Sequence, residues 1–253
     1  MKARKIKKIF IYLFLILFLS VFIYSIYNII DWYIAGKKNE KIINDINDAI
    51  IEEEIEEEIV DEDTSLTVDF EILKEKNSEA VGFIKVNGTK IEYSVVKHKD
   101  NFYYLTHSFD RSYNKYGWIF ANFENKFDGT DKNITLFGHN MRNGSMFGTL
   151  KNVLTEEWQS NEDNHKVLFI TEEGKFIYQV FSTYKIYKEE YFATSNFKDD
   201  SEFLTFINKI KKRSNKDYNV EVTENDQILT LSTCHSNNNY RVVLHAKKMY
   251  EIE

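Results

Sequence analysis

Proline is absent from the 253-residue chain, and cysteine occurs once, as Cys234. Without proline, the turns must rely on glycine, asparagine and aspartate. A single cysteine cannot form an internal disulfide bond, so a disulfide-stapled fold is excluded. Clustered metal ligands such as Cys-x-x-Cys or His-x-x-x-His are also absent from the sequence. We therefore expect neither a metal nor another cofactor.

The chain also has no excess of positive charge, and its formal net charge is −7. This balance argues against a nucleic-acid-binding protein. The acidic excess is local, since nine of the twelve residues at positions 52–63 are Asp or Glu. A polar, acidic segment of this kind is typical of a solvated helix or a partly disordered spacer. We therefore predict an acidic extracellular stalk over residues 31–66.

The N-terminus contains one long hydrophobic run. Residues 9–30 form a run of 22 largely apolar positions, and about 20 such residues suffice to cross a bilayer as a helix. Five of the residues at positions 1–8 are basic. The positive-inside rule therefore predicts a cytoplasmic N-terminus. Residues 9–30 would then form a single-pass membrane anchor, and the rest of the chain would be exported. A cleaved signal peptide is the alternative. However, the run exceeds a usual signal core, and Ala35-Gly36 is the nearest candidate cleavage site.

Residues 67–253 predict one mostly β domain. The chain has 20 Phe and 16 Tyr, and aromatic richness favours strands over a helical bundle. Segments of strand-like composition, separated by turn residues, give about eight strands, which fit a closed barrel or a sandwich. Helices are predicted at 69–76 and, inserted before the last two strands, at 200–212, where apolar residues recur at helical spacing. The strand-like segments are 81–86, 90–96, 117–122, 133–138, 166–171, 175–187, 227–233 and 240–249.

The single cysteine follows a predicted strand. Cys234 ends the run 228–233 and precedes a polar stretch, after which the next strand begins at Tyr240. If these strands pair as an antiparallel hairpin, Cys234 lies near Arg241. A guanidinium beside a thiol favours the thiolate and can donate to a developing oxyanion. A lone cysteine can equally be a small buried hydrophobic residue, so this pattern alone leaves both interpretations open.

A catalytic thiol also needs a base, and the chain has six histidines. His139 follows an apolar run and Gly138 at a predicted strand end, where scaffolds commonly display catalytic groups. His235 adjoins Cys234, but successive strand residues point to opposite faces, so it is poorly aimed at that cysteine. The other four histidines lie in polar segments or, for His245, inside the last strand. His139 is therefore the preferred base.

Two sequence blocks resemble the signature motifs of class B sortases. The order His, Cys, Arg matches that family, whereas papain-like proteases place Cys before His. Segments 82–86 and 91–96 also resemble the family's first strands, so the likeness covers residues 68–249. Phe137 stands where the family often has Tyr, and His235-Ser236 stand where some relatives have acidic residues. The two blocks are Thr135-Leu136-Phe137-Gly138-His139-Asn140-Met141, with Met146-Phe147, and Thr230-Leu231-Ser232-Thr233-Cys234, with Arg241 seven residues later.

The resemblance implies an eight-stranded sortase-type β-barrel with an N-terminal helix and a helix inserted between strands six and seven, preceded by the transmembrane helix. It implies that the catalytic residues are His139, Cys234 and Arg241. It also suggests a substrate groove, although each of its candidate residues is equally explained as a structural turn or strand residue. Those candidates are Asn101, Leu105, Ser232 and Thr233.

The resemblance further implies a cysteine transpeptidase anchored in the cell membrane. Such an enzyme cleaves a C-terminal sorting signal of exported proteins, of the Asn-Pro-x-Thr-Asn type, after threonine and through a thioester. An amine of peptidoglycan or of its lipid-linked precursor then resolves the thioester and anchors the protein to the cell wall. Two alternatives stay open: an exported adhesin or scaffold module with an inert cysteine, and a wall L,D-transpeptidase. The latter usually shows a Ser-His-Gly-Cys block that this sequence lacks.

Overall fold

The computed structural model describes residues 2–52, 65–187, 189–234 and 239–252 of the chain. The chain divides into two compact units, Met1–Lys41 and Ile42–Glu253. Most of the acidic run, at 53–63, lies outside the described residues, so the solvated stalk there stays a prediction.

The first unit contains most of helix α1 (Lys2–Ile46). The apolar side chains of its hydrophobic run are exposed. Ser20, Ser25 and Asn28 donate from their side chains to backbone carbonyls three or four residues earlier. These bonds satisfy the polar groups within the helix, as the apolar interior of a membrane requires. The helix is long and apolar enough to cross a membrane, in agreement with the predicted anchor.

The second unit begins with the last turns of α1, inside the segment predicted as stalk. Ile42 and Ile46 are buried there, as is Ala49 in the short 3₁₀ turn that follows the helix. Strand β1 (Ile50–Glu52) then pairs antiparallel with β2 (Leu66–Val68). The compact unit therefore starts at Ile42 rather than at the predicted residue 67. The physical reason is that these side chains remove apolar surface from water, which a solvated stalk would leave exposed.

Helix α2 (Phe70–Lys76) leads into the sheet. The carboxylate of Asp69 accepts hydrogen bonds from the backbone N–H groups of Glu71 and Ile72, which are otherwise unpaired at a helix start. The helix predicted from Asp69 is thus present, with Asp69 as its N-cap.

The described residues of the second unit form a closed barrel of eight strands, which confirms the predicted fold. Neighbouring strands are antiparallel except for two parallel pairs, formed by the second with the third strand and by the fourth with the seventh strand in chain order. The strands are β3 (Ala80–Val86), β4 (Ile91–Val96), β5 (Phe120–Ala121), β6 (Asn133–Gly138), β7 (Lys166–Thr171), β8 (Gly174–Tyr187), β9 (Ile228–Cys234) and β10 (Tyr240–Ile252). Their order around the barrel is β10-β8-β7-β3-β4-β5-β6-β9.

One barrel strand is much shorter than predicted. Of the segment 117–122, only Phe120–Ala121 belongs to a strand. Gly117 has a φ of 57°, and the backbone N–H of Trp118 donates to the carbonyl of Tyr104 instead of to a neighbouring strand. The chain before Phe120 therefore follows a loop.

Two further helices lie in connections between barrel strands. Helix α3 (Glu156–Ser160) precedes β7, and α4 (Asp200–Arg213) lies between β8 and β9, the sixth and seventh barrel strands, as predicted. The side chain of Asp199 accepts from the backbone N–H of Glu202 at the start of α4. The buried face of α4 packs in a cluster with residues of β8, β9 and β10. Four residues form that face: Phe203, Phe206, Ile207 and Ile210.

Candidate active site

Three strand ends meet at one edge of the barrel. Strands β6 and β9 run parallel with Gly138 opposite Thr233, so His139 and Cys234 are the next residues along the two chains. On the other side of β9, β10 runs antiparallel and places Arg241 directly opposite Cys234. Paired residues of neighbouring strands have backbones about 5 Å apart. The backbone register thus arranges His139, Cys234 and Arg241 in one row across three adjacent strands.

Gly138 is required where β6 meets this edge. A Cβ atom built on Gly138 would lie 2.5 Å from Cδ1 of Ile119 and 2.8 Å from Cγ of Phe147. Both neighbours are fully buried and cannot move aside without disturbing the core. The hydroxyl of Thr233 also donates to the carbonyl of Gly138 at 2.6 Å, which ties β6 to β9 immediately before the row.

The imidazole of His139 is held by the backbone. Its Nε2 atom lies 2.7 Å from the carbonyl oxygen of Leu105. Because a carbonyl only accepts hydrogen bonds, this contact places a proton on Nε2. The carbonyl of His139 in turn accepts from the backbone N–H groups of Met141 and Phe147. Both the ring and the main chain of this histidine are therefore fixed in position.

The loop that carries Leu105 has a polar anchor of its own. Glu79 accepts a hydrogen bond from the Tyr104 hydroxyl at 2.6 Å, and its other carboxylate oxygen lies 2.7 Å from Nδ1 of His98. Burial acts to raise the pKa of Glu79, but these hydrogen bonds and the charges of His98 and Arg111 hold it below its usual value. The carboxylate therefore stays ionised and ties Tyr104, the neighbour of Leu105, to the residue that precedes β3.

Arg241 forms an ion pair with Glu190 beside the row. Its Nη2 donates to Oε1 of Glu190 at 3.3 Å, and the side chains of Arg241 and Glu190 are 31% and 76% exposed. A pair this open to water contributes about 1 kcal/mol or less. Breaking the Arg241–Glu190 pair therefore costs little.

A cavity of about 560 Å³ opens beside the row. His139 and Arg241 line it together with aromatic side chains, of which Phe102 and Phe123 are strongly exposed. A cleft of this size is typical of ligand sites, which combine apolar walls with a few polar groups.

Comparison with known proteins assigns the chain to a family. Residues 84–249 match the Sortase domain. The chain belongs to the sortase family. It is 35% identical over 182 residues to sortase B of Staphylococcus aureus, which covers 70% of this chain and 73% of that protein.

Solved sortase B structures share the architecture of this sortase. A Bacillus anthracis sortase B in complex with AAEK1 superposes with a TM-score of 0.73 at 32% identity, over 88% of this chain and 100% of that one. A Staphylococcus aureus sortase B–substrate complex superposes with a TM-score of 0.68 at 32% identity, over 73% of this chain and 86% of that one. The resemblance to class B sortases is thereby confirmed, and family membership makes the protein a cysteine transpeptidase.

The structure brings three of the four predicted groove residues of this sortase to the cavity: Asn101, Leu105 and Ser232. Asn101 donates from Nδ2 to Oδ1 of Asn122 and accepts from the backbone N–H of Phe123. The buried hydroxyl of Ser232 has no hydrogen-bond partner within the described part of the chain. An unsatisfied buried hydroxyl at a cavity wall is suited to a bound peptide.

Thr233 has a different position. Among the residues that the structure describes, it is not part of the cavity lining, because its buried hydroxyl is engaged with Gly138. Its contacts are those of a residue that joins β6 to β9.

Sequence reasoning missed one wall of the cavity. Phe192, Ala193 and Thr194 form this wall, in and just after a 3₁₀ turn between β8 and α4. No strand or helix periodicity marks this segment. The available signal was the group of aromatic residues Tyr191, Phe192 and Phe197 in the connection between β8 and α4.

Proposed function

We propose that this sortase cleaves a C-terminal sorting signal of exported proteins after a threonine and transfers the resulting acyl group to a peptidoglycan amine. The observation that carries the proposal is the backbone register, which aligns His139, Cys234 and Arg241 across β6, β9 and β10. Family membership favours this enzyme over an inert adhesin module or an unrelated wall transpeptidase.

The three residues have separate roles in the proposed reaction. The Cys234 thiolate attacks the threonine carbonyl, and Arg241 donates to the oxyanion that forms. His139 gives a proton to the departing amine as the peptide bond breaks, which leaves a thioester. An acceptor amine then attacks the thioester, His139 takes its proton, and the thiolate is released. Since Nε2 of His139 is bonded to Leu105, Nδ1 is the ring nitrogen that exchanges this proton.

The cavity is proposed as the groove for the sorting signal. One relative, the Staphylococcus aureus sortase B, has been crystallised as a substrate complex. In this chain, Asn101, Leu105 and Ser232 are the proposed contacts, and we propose a signal of the Asn-Pro-x-Thr-Asn type. To test this, the full-length protein in detergent is incubated with a peptide library of that form and examined by mass spectrometry. A covalent peptide adduct on Cys234 supports the proposal, and absence of any adduct contradicts it.

The proposed topology places the catalytic unit outside the cell, with α1 as the anchor. Protease added to intact cells should therefore remove the unit that begins at Ile42 and leave a small membrane-bound N-terminal fragment. A cytoplasmic protein in the same cells, which should resist the protease, serves as the control. Survival of the whole chain in sealed cells would show that the domain is not exported.

Arg241→Lys separates oxyanion binding from a general electrostatic role. Lysine keeps the charge but loses the planar guanidinium, so we expect turnover to fall on the order of 10²-fold, as for loss of an oxyanion donor. The fold should survive, because Arg241 lies at the rim of the barrel. Initial rates of peptide cleavage measure the effect.

Arg213→Lys is the matched control. Arg213 is likewise partly exposed and forms an ion pair with Glu189 at 3.0 Å, but it does not line the cavity. Its replacement should leave turnover near the wild-type value. Near-normal turnover in Arg241→Lys would instead reduce that arginine to a general electrostatic role.

A further inference from the structure

The cavity wall at 192–194 is held by asparagine side chains from the barrel. Nδ2 of Asn133 donates to the carbonyls of Phe192 and Thr194 at 3.0 and 2.9 Å. Nδ2 of Asn122 donates to the intervening carbonyl of Ala193 at 3.1 Å. Two side-chain amides thus bind three successive backbone carbonyls of a segment that belongs to no strand. These hydrogen bonds hold the wall in position against the barrel.

The amide of Asn133 is itself oriented by a directional chain of hydrogen bonds. Because both wall carbonyls only accept, Nδ2 must face them and Oδ1 must face Thr230. The hydroxyl of Thr230 therefore donates to Oδ1, at 2.7 Å. That hydroxyl lies 2.8 Å from Nδ1 of His245, so Nδ1 must carry a proton and donate to it. Each bond in the chain has only one possible direction.

The chain ends in a histidine that the barrel keeps neutral. His245 is fully buried, as are Thr230 and Asn133, and it lies between the rings of Phe181 and Phe206 and the Tyr184 hydroxyl. With Nδ1 protonated, Nε2 accepts from that hydroxyl at 2.9 Å. Burial lowers the pKa of His245 to about 3, in keeping with this neutral form. The position is far too enclosed for His245 to touch a peptide in the groove.

We propose that Asn133 is a positioning residue for the sorting-signal groove, and that Thr230 and His245 act through it by fixing its amide. The inference rests on the proposed function of the cavity, since Phe192 and Thr194 both line it. The hydrogen bonds described above connect these three residues to the wall and not to His139 or Arg241. Loss of the chain should therefore weaken substrate binding and raise KM, with kcat nearly unchanged.

Thr230→Val tests the chain. Valine has nearly the shape of threonine and suits a strand, but it can neither donate to Asn133 nor accept from His245. Tyr184→Phe is the matched control. It removes a buried hydroxyl from the other ring nitrogen of His245, and with it the 3.3 Å bond from the Tyr191 hydroxyl, but it leaves the bonds of Asn122 and Asn133 to the wall carbonyls intact. Thr230→Ser restores the hydroxyl and should restore wild-type behaviour.

Two measurements are made on the full-length proteins in detergent. Hydrogen exchange of the backbone amides at 189–196 needs no substrate, and we expect exchange about tenfold faster in Thr230→Val than in Tyr184→Phe. Cleavage kinetics use the Asn-Pro-x-Thr-Asn peptide that the wild type cleaves fastest. We expect KM to rise about tenfold in Thr230→Val only, because the Asn133 amide loses the hydrogen bond that keeps its Nδ2 directed at the wall carbonyls.

The outcomes separate this inference from the proposed function. Equal exchange and equal KM in Thr230→Val and Tyr184→Phe would overturn the role of Asn133 while leaving the cleavage reaction standing. A fall in kcat without a rise in KM would also overturn it. If the wild type cleaves no peptide of the library, the proposed function fails, and the assignment of this wall to a sorting-signal groove fails with it.

Discussion

Replacement of Cys234 by Ala should abolish both peptide cleavage and formation of the covalent peptide adduct. The thiolate is the nucleophile of the proposed reaction, and no second cysteine exists in the chain to replace it. Alanine is small and apolar, so it introduces no unsatisfied polar group at the end of β9. Turnover is measured with the peptide selected by the wild type, and the adduct is followed by mass spectrometry.

A reversible chemical block provides the control for this variant. Wild-type protein treated with a methanethiosulfonate should lose activity and regain it on reduction, whereas the alanine variant should be inert throughout. A reactive thiolate should also be alkylated quickly in the folded protein, while an inert core cysteine reacts only after unfolding. Residual cleavage by Cys234→Ala above the uncatalysed rate would contradict a cysteine mechanism.

His139→Ala should be the next most damaging substitution. Proton transfer by a positioned side chain contributes about 10²–10⁴-fold, and loss of the histidine also removes the partner that favours the thiolate. We expect kcat/KM to fall within or beyond that range. The same peptide assay measures this loss, and the alkylation rate of Cys234 should fall with it.

His107→Ala is the matched control for His139. His107 is also half-buried, and its Nδ1 lies 2.8 Å from the backbone carbonyl of Tyr103, on the same loop that holds His139. It does not line the cavity within the described structure, so its loss should leave kcat/KM within a few-fold of wild type. Near-normal activity in His139→Ala would refute the proposed mechanism altogether.

Local sequence patterns predicted most of the barrel. Alternating and aromatic-rich segments identified every barrel strand, and the helical spacing of Phe203, Phe206 and Ile210 identified α4. The predicted length of β5 was too great. Gly117 has a positive φ, and the backbone N–H of Trp118 bonds to Tyr104 in another loop, which the local pattern does not reveal. Ile42 and Ile46 were assigned to a solvated stalk, since a polar, acidic context hides a buried face until its partner surface is known.

The candidate site was only partly accessible from the sequence. The motifs around His139 and Cys234 identify these residues, and pairing of the last two strands as a hairpin predicts that Arg241 lies near Cys234. The register of the structure places the two residues directly opposite each other. The parallel pairing of β6 with β9, which brings His139 beside Cys234, joins segments almost a hundred residues apart. No local pattern encodes such a contact, because the closure of the barrel determines which strands become neighbours.

By itself, the sequence determined the strands, the inserted helix, the apolar N-terminal helix and the chemical groups of the proposed triad. These are properties of periodicity and residue type, which act over a few neighbouring positions. Only the tertiary structure decided the cavity wall at 192–194, the engagement of Thr233 with Gly138 and the buried chain from His245 to Asn133. Each of these joins polar groups from distant segments, and burial makes such groups find partners wherever the packed fold places them.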